Sequence, residues 1–173
     1  VTDRAALQNL HTAQLGLEHP IAIRYPRGRG RNTDWQVPYS KIEIGKAVCL
    51  KEGEKTAILS TGTIGYNVTQ ALNKTRFLEE FAHYDFGFVK PLDEEALHLI
   101  FKKFKKVITL EDGCIKGGFG SSVNEFAQQH GYLISIQNLG VPDVFVEQGT
   151  VAELQQICQI DSDSLAALFN KLK

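Results

Sequence analysis

Residues 106–126 of the chain read KVITLEDGCIKGGFGSSVNEF, and no other stretch says as much about its architecture. The apolar start predicts a buried strand, the glycines predict a tight turn, and the last residues predict the beginning of an amphipathic helix. A strand that is followed by a glycine-rich turn and a helix is the unit from which parallel α/β sheets are built.

The same alternation extends to both sides of this stretch, from about Lys41 to the end of the chain. Apolar runs at 56–60, 81–89 and 133–139 alternate with segments whose apolar residues recur at helical spacing. A β-hairpin is predicted between residues 47–50 and 56–60. The pattern predicts a three-layer α/β/α domain with a mostly parallel sheet and one antiparallel edge strand.

Two helix starts carry the pattern of a capping box, in which two side chains satisfy the first N–H groups of a helix. The pairs are Ser122 with Glu125 and Thr150 with Glu153. We therefore predict that both helices are capped by residues of their own first turn.

Composition excludes several classes of partner and site. The chain has 173 residues and a net charge of −1, so no global field attracts nucleic acid or an anionic membrane. Apolar runs are far shorter than the roughly 20 residues that a spanning helix needs. We expect neither a nucleic-acid nor a membrane partner.

The cysteines and the starting residue indicate where the protein works and whether it is whole. Cys49, Cys114 and Cys158 show no CxxC spacing, which favours free thiols in a reducing cytoplasm over a zinc site. The chain begins at Val1 and contains no methionine, from which we expect it to be part of a longer protein.

The glycine turn at 117–122 allows two interpretations. Free N–H groups at a helix start can hold a phosphate, but glycines also let a turn pass close to a sheet. The turn lacks the Lys-Ser/Thr ending of a P-loop, and the acidic Glu111 and Asp112 beside it would repel phosphate. The balance favours a structural turn.

An arginine cluster is the second candidate for anion binding. Arg24, Arg27, Arg29 and Arg31 lie at and beyond the end of a short predicted strand. The planar guanidinium suits phosphate because it donates two parallel hydrogen bonds. A solvated basic loop and a nucleic-acid patch are the alternatives. The scattered histidines show no metal-ligand spacing, and the residues supply no self-contained catalytic set.

Several motifs occur in a fixed order along almost the whole chain. They are Arg24-Tyr25-Pro26-Arg27-Gly28, Gly45-Lys46-Ala47, Phe88-Val89-Lys90-Pro91-Leu92-Asp93, Gly117-Gly118-Phe119-Gly120-Ser121 with Val123-Asn124-Glu125, and Asn138-Leu139-Gly140-Val141-Pro142-Asp143 with Gln148-Gly149-Thr150. Together they resemble the carboxy-terminal portion of the 1-deoxy-D-xylulose-5-phosphate synthases, which are thiamine-diphosphate enzymes of the transketolase superfamily.

The resemblance implies a domain plan and a reaction. Residues 1–30 would end the pyrimidine-binding central domain, residues 31–40 would be a linker, and residues 41–173 would form the transketolase carboxy-terminal domain. The full-length homodimer would use thiamine diphosphate and magnesium to condense pyruvate with glyceraldehyde 3-phosphate. Its product would serve isoprenoid, thiamine and pyridoxal precursor synthesis.

The resemblance also assigns one site residue. Arg27 matches an arginine that binds the phosphate of glyceraldehyde 3-phosphate. Catalytic, cofactor-binding and metal-binding residues would all lie upstream, so this chain alone should be inactive and hold no cofactor. Two alternatives stay open: a stand-alone anion- or nucleotide-binding regulatory module, and the same domain of another superfamily enzyme.

Overall fold

The computed structural model describes residues 42–172, which form five strands and five helices. The strands are β1 (Val48–Lys51), β2 (Thr56–Thr61), β3 (Phe81–Asp85), β4 (Lys106–Cys114) and β5 (Ser135–Val141). The helices are α1 (Gly65–Leu72), α2 (Glu94–Lys103), α3 (Phe119–Gln129), α4 (Val151–Ile157) and α5 (Ser162–Lys171), with a 3₁₀ turn at Leu78–Glu80. The predicted segments 1–30 and 31–40, and Arg27 within them, lie outside the described residues, so those boundaries stay a prediction.

The five strands form one mixed sheet in the order β1-β3-β2-β4-β5. Strands β2 to β5 are parallel, and β1 runs antiparallel to β3 at one edge. The central strand β2 is buried on both faces along residues 56–60, which fits its continuous run of small and apolar residues. This arrangement confirms the predicted fold class.

The predicted hairpin between β1 and β2 is wrong. Strand β1 pairs with β3 instead, with Val48 opposite Asp85. Both edges of β2 are already occupied by the parallel strands β3 and β4, so β1 can join the sheet only beyond β3. The connection after β1 is fixed to the 3₁₀ turn by Lys55 N–H, which donates to Glu80 O at 2.9 Å.

The side chains of β2 alternate between two apolar clusters, one on each face of the sheet. Ala57 and Leu59 contact the cluster under α2 and α3, whereas Ile58 contacts the cluster under α1 and α5. This alternation follows from the two-residue period of a strand and produces the three layers. Helix α4 lies outside both clusters, since none of its described residues is buried.

Acidic or hydroxyl side chains cap the starts of α2 and α4, whereas α1 begins after Ile64 without a side-chain cap. Asp93 caps α2 by accepting from Ala96 N–H, and its second oxygen accepts from Ala47 N–H at 2.8 Å. Thr150 and Glu153 form the predicted capping box of α4, which is confirmed. No helix within residues 42–172 has the length and apolar character needed to cross a membrane.

Candidate functional site

The carboxyl ends of β2 and β4 mark the place where an α/β sheet of this kind usually binds ligands. The chain leaves β2 for β3 on one side and later returns to β4 on the other. Ligands of such sheets bind where the strand order reverses in this way. Thr61 and Glu111 are paired at this point, and the glycine turn lies directly beyond Glu111.

Glu111 occupies the position at which the glycine turn could have bound an anion. Its buried carboxylate accepts from Phe119 N–H through Oε2 and from Gly120 N–H through Oε1, both at 2.9 Å. These are the first N–H groups of α3, where the helix dipole favours negative charge. The protein therefore fills its own anion position with a side chain from β4.

Two glycines make this close approach possible. A Cβ on Gly118 would overlap the Glu111 carboxylate and lie 2.6 Å from Cys114 O. A Cβ on Gly120 would lie 2.5 Å from Thr109 Oγ1, on the sheet itself. The helix start thus lies against the sheet at a distance that leaves no room for a side chain at either position.

The predicted capping box of Ser122 and Glu125 is wrong. Helix α3 begins at Phe119, because Glu111 already satisfies the N–H groups there, so Ser122 lies inside the first turn. Its hydroxyl donates back to Gly118 O at 3.4 Å rather than capping the helix.

The remainder of the turn is also closed by internal hydrogen bonds. Gly117 N–H donates to Ser121 Oγ at 2.9 Å, and that hydroxyl donates to Ile115 O. With the N–H groups of residues 117, 119 and 120 engaged, the interpretation as a structural turn is confirmed. A phosphate could bind there only by displacing Glu111.

A buried Ser–His pair under the same edge was not predicted from the sequence. Ser60 Oγ and His83 Nε2 are 2.8 Å apart, and both residues are almost completely inaccessible. Burial lowers the pKa of His83 to about 4, so the imidazole is neutral near pH 7. The pair has no access to a substrate, and its geometry supports packing between β2 and β3.

Asp85 ends β3 opposite Ser60 and is the half-buried acid of this edge. Burial raises the pKa of its carboxyl above the ordinary value. The charged form of the Asp85 carboxylate is therefore less favoured than at an exposed acid.

An exposed apolar loop follows β5 on the same side of the sheet. Val144 and Phe145 are largely exposed, the phenyl ring completely so. They border a shallow cavity of about 300 Å³ together with Cys114 and Pro142. Lys116 and Asp143 form an exposed ion pair of 2.7 Å at its rim. A contiguous exposed aliphatic and aromatic patch of this kind is typical of an interface.

Two features of residues 42–172 bear on where a metal ion or a diphosphate could bind. Residues 42–172 contain no group of three His, Cys, Asp or Glu side chains that could hold a metal ion. The N–H groups that could hold a diphosphate at the glycine turn are engaged by Glu111 and Ser121. Arg27, the one predicted substrate residue, lies outside the described part of the chain.

Comparison with known proteins identifies relatives over nearly all of the sequence. Residues 45–165 match the family described as "Transketolase, C-terminal domain". A protein of Porphyromonas gingivalis named 1-deoxy-D-xylulose-5-phosphate synthase is 49% identical over 170 residues, covering 96% of this chain and 26% of that protein. The synthases of Cytophaga hutchinsonii and Bacteroides thetaiotaomicron are 48% and 46% identical. The chain spans about a quarter of the length of these relatives.

Two solved structures share the fold. One, described as "Split gene transketolase, inactive beta4 tetramer", has a TM-score of 0.65 and 29% identity, covering 76% of this chain and 43% of its own. A transketolase from Campylobacter jejuni has a TM-score of 0.52 at 17% identity, covering 73% of this chain and 18% of its own, which shows the fold alone.

Proposed function

Since this chain belongs to the transketolase carboxy-terminal domain family, we propose that it is the carboxy-terminal part of a 1-deoxy-D-xylulose-5-phosphate synthase. The observation that carries the proposal is the 49% identity to the Porphyromonas gingivalis synthase across 96% of the chain. The reaction would condense pyruvate with glyceraldehyde 3-phosphate for isoprenoid, thiamine and pyridoxal precursors.

In this role the chain would depend on a cofactor that is bound elsewhere. This chain matches about a quarter of each related synthase. Thiamine diphosphate and magnesium would be bound by the remaining three quarters of such a protein. The glycine turn, whose N–H groups already donate to Glu111 and Ser121, supports that division of labour. The isolated chain would therefore be inactive.

Arg27 would bind the phosphate of glyceraldehyde 3-phosphate. The motif Arg24-Tyr25-Pro26-Arg27-Gly28 supports this role, because Pro26 restricts the backbone immediately before an arginine whose fork suits a phosphate. Arg27 is then the chain's single direct contribution to substrate recognition in the proposal.

The protein would work as a homodimer in the cytoplasm. The exposed loop of Val144 and Phe145 supports an interface at the carboxyl edge of the sheet. The solved split-gene transketolase is an inactive beta4 tetramer, which supports association without activity for this chain. Three free thiols fit a reducing compartment.

A domain exchange tests the proposal directly. Residues 1–173 would replace the matching quarter of the Porphyromonas gingivalis synthase, and product formation from pyruvate and glyceraldehyde 3-phosphate would be measured. We expect the chimera to retain at least a tenth of the parent activity and the isolated chain to show none. A control chimera that carries the Campylobacter jejuni transketolase domain should be inactive. Turnover by the isolated chain, or a folded but inactive first chimera, would contradict the proposal.

The Arg27 role is tested in the active chimera. Arg27→Ala should raise the KM for glyceraldehyde 3-phosphate at least ten-fold and leave the KM for pyruvate within two-fold, since only the aldehyde carries a phosphate. Arg31→Ala, which removes a nearby arginine of the same cluster, is the matched control and should change neither constant. Equal changes in both KM values for Arg27→Ala would remove the phosphate role.

A further inference from the structure

Helices α2 and α3 bring together two histidines that lie far apart in the sequence. His98 lies within α2, and His130 directly follows α3 as its C-cap residue. Their imidazole ring centres are 4.8 Å apart, and the ring planes are nearly perpendicular, at 89°. His98 is partly exposed and His130 is exposed, so solvent and small ions reach the pair. The proposed synthase role gives neither histidine a task.

The separation of the two rings fits a shared metal ion. Imidazole nitrogens bind Zn²⁺ at about 2.1 Å. Two imidazoles that bind one ion at the angles of square-planar to tetrahedral coordination therefore have ring centres roughly 4.5–5.2 Å apart. The observed 4.8 Å lies within this range. Face-to-face stacking would direct the nitrogens of the two rings side by side, whereas perpendicular rings can each direct one nitrogen to a common point.

Hydrogen bonds at Nδ1 determine which nitrogen of each ring remains for an ion. His130 Nδ1 lies 3.0 Å from Phe126 O. A carbonyl oxygen only accepts, so in the neutral His130 ring Nδ1 carries the proton and Nε2 carries the lone pair. His98 Nδ1 lies 2.7 Å from the Tyr132 hydroxyl. Because a phenol accepts as well as donates, His98 can hold the same tautomer.

This pattern is the one that metal-binding histidines show. Such residues almost always donate their other ring N–H to a neighbouring oxygen, which fixes the orientation of the ring. Ring contacts add to that orientation. The Phe126 ring centre lies 4.2 Å from that of His130 and 4.9 Å from that of His98. Both imidazoles are therefore held in place before an ion arrives.

The donor atoms indicate the class of ion. Imidazole nitrogen suits Zn²⁺, Cu²⁺ and Ni²⁺, whereas Mg²⁺ and Ca²⁺ prefer oxygen ligands. Residues 42–172 bring no third His, Cys, Asp or Glu side chain to the pair, so water would complete the coordination. Glu94 and Lys102 lie one helical turn before and after His98 on α2, and their opposite charges largely offset each other there.

We propose that His98 and His130 bind one divalent transition-metal ion through their Nε2 atoms, with water as the remaining ligands. The ion connects α2 to α3 and stabilises the folded state, because the two ligands come together only when the domain is folded. This site is separate from the magnesium of the proposed synthase role and does not depend on that role.

A zinc titration of the ¹⁵N-labelled 173-residue chain tests the site. Spectra that correlate the ring protons and ring nitrogens of histidine should show saturable shifts of Nε2 in His98 and His130. Both signals should follow one binding curve, because the two rings share one ion. The signals of His83, which is buried, should not move, and Mg²⁺ should shift none of the three.

Single variants separate a shared site from two independent histidines. His130→Asn keeps a hydrogen-bond donor near the Nδ1 position and removes Nε2, so zinc affinity at His98 should fall at least ten-fold. His98→Asn should lower the affinity at His130 to the same extent. Gln128→Ala changes an exposed residue at the same end of α3 and should leave affinity unchanged. Saturating zinc should raise the urea midpoint of the parent chain more than that of His130→Asn.

Three results would overturn the proposal. The first is a pair of different zinc-binding curves for His98 and His130. The second is an unchanged zinc affinity at one histidine after the other has been replaced by asparagine in a folded variant. The third is a set of zinc-induced shifts that is confined to residues next to the free cysteines.

Discussion

Helices α3 and α4 begin after connections of four residues (115–118) and nine residues (142–150), and they satisfy their first N–H groups by different means. Helix α3 uses the Glu111 carboxylate of β4, which reaches across eight and nine residues to Phe119 and Gly120. Helix α4 uses Thr150 and Glu153 within its own first turn. The start of α3 is therefore fixed to the sheet, whereas the start of α4 depends only on its own sequence.

The largest effect should follow from removing the long-range cap. Glu111→Ala leaves two buried N–H donors unsatisfied and should lower the free energy of unfolding by about 3 kcal/mol. Urea denaturation of the full chain measures this value. Glu125→Ala, on the exposed face of the same helix, is the matched control and should stay within about 0.5 kcal/mol. A comparable loss of stability in the control would indicate that Glu125 takes part in a local capping box with Ser122.

The fit between the turn and Glu111 should be nearly as sensitive. Gly118→Ala forces a methyl group against the carboxylate and Cys114 O, and should cost about 2 kcal/mol. Gly87→Ala is the control, because a Cβ there meets nothing within 4 Å. Unfolding by urea compares the two. Equal stability of the two variants would show that the turn can accommodate a methyl group at position 118.

The local cap should matter less. Thr150→Ala removes one side of the capping box and should cost about 1 kcal/mol, a typical value for such a cap. Amide hydrogen exchange should show faster exchange confined to α4, since none of the described residues of that helix is buried. Faster exchange that extended into β4 or α3 would show that the two helix starts are coupled.

The smallest effect is a dependence on pH. Hydrogen bonds from Thr150 N–H and from its hydroxyl lower the pKa of Glu153 from its usual value of 4.5. The folded state therefore favours the charged carboxylate, so its stabilisation is complete above pH 4.5 and is lost as the pH falls through the lowered pKa. Carboxyl NMR titration should show a higher pKa for Glu153 in Thr150→Ala. An unchanged titration would mean that the hydroxyl does not contribute.

The same contrast explains which features could be predicted from the sequence. The capping box at Thr150 lies within four residues, so its pattern is visible in the sequence itself. The reach of Glu111 to Phe119 depends on where β4 ends in three dimensions, and the sequence pattern at Ser122 and Glu125 suggested the wrong cap. Ser60 and His83 are 23 positions apart, and only the parallel pairing of β2 with β3 brings them together.

The strand order shows the same difference between local patterns, which were predicted, and long-range pairing, which was not. The alternation of apolar runs and helical spacings was sufficient to predict the three layers and the parallel sheet. The partner of β1 was predicted as its neighbour in sequence, but both edges of β2 are used by strands that come later in the chain. Arg27 stays a prediction from the resemblance, because it lies outside the described residues.

The pairing of β1 with β3 has a consequence for the protein during its synthesis. Val48 pairs with Asp85, which lies 37 positions later in the chain, so β1 is translated well before the strand that it joins. At about 5–20 residues per second, the ribosome needs roughly 2–7 seconds to produce the intervening chain. Throughout that interval Val48 and Leu50 have no strand to join. The nascent chain thus exposes a short unpaired β-segment until β3 has been synthesised, and during that time the segment is accessible to chaperones.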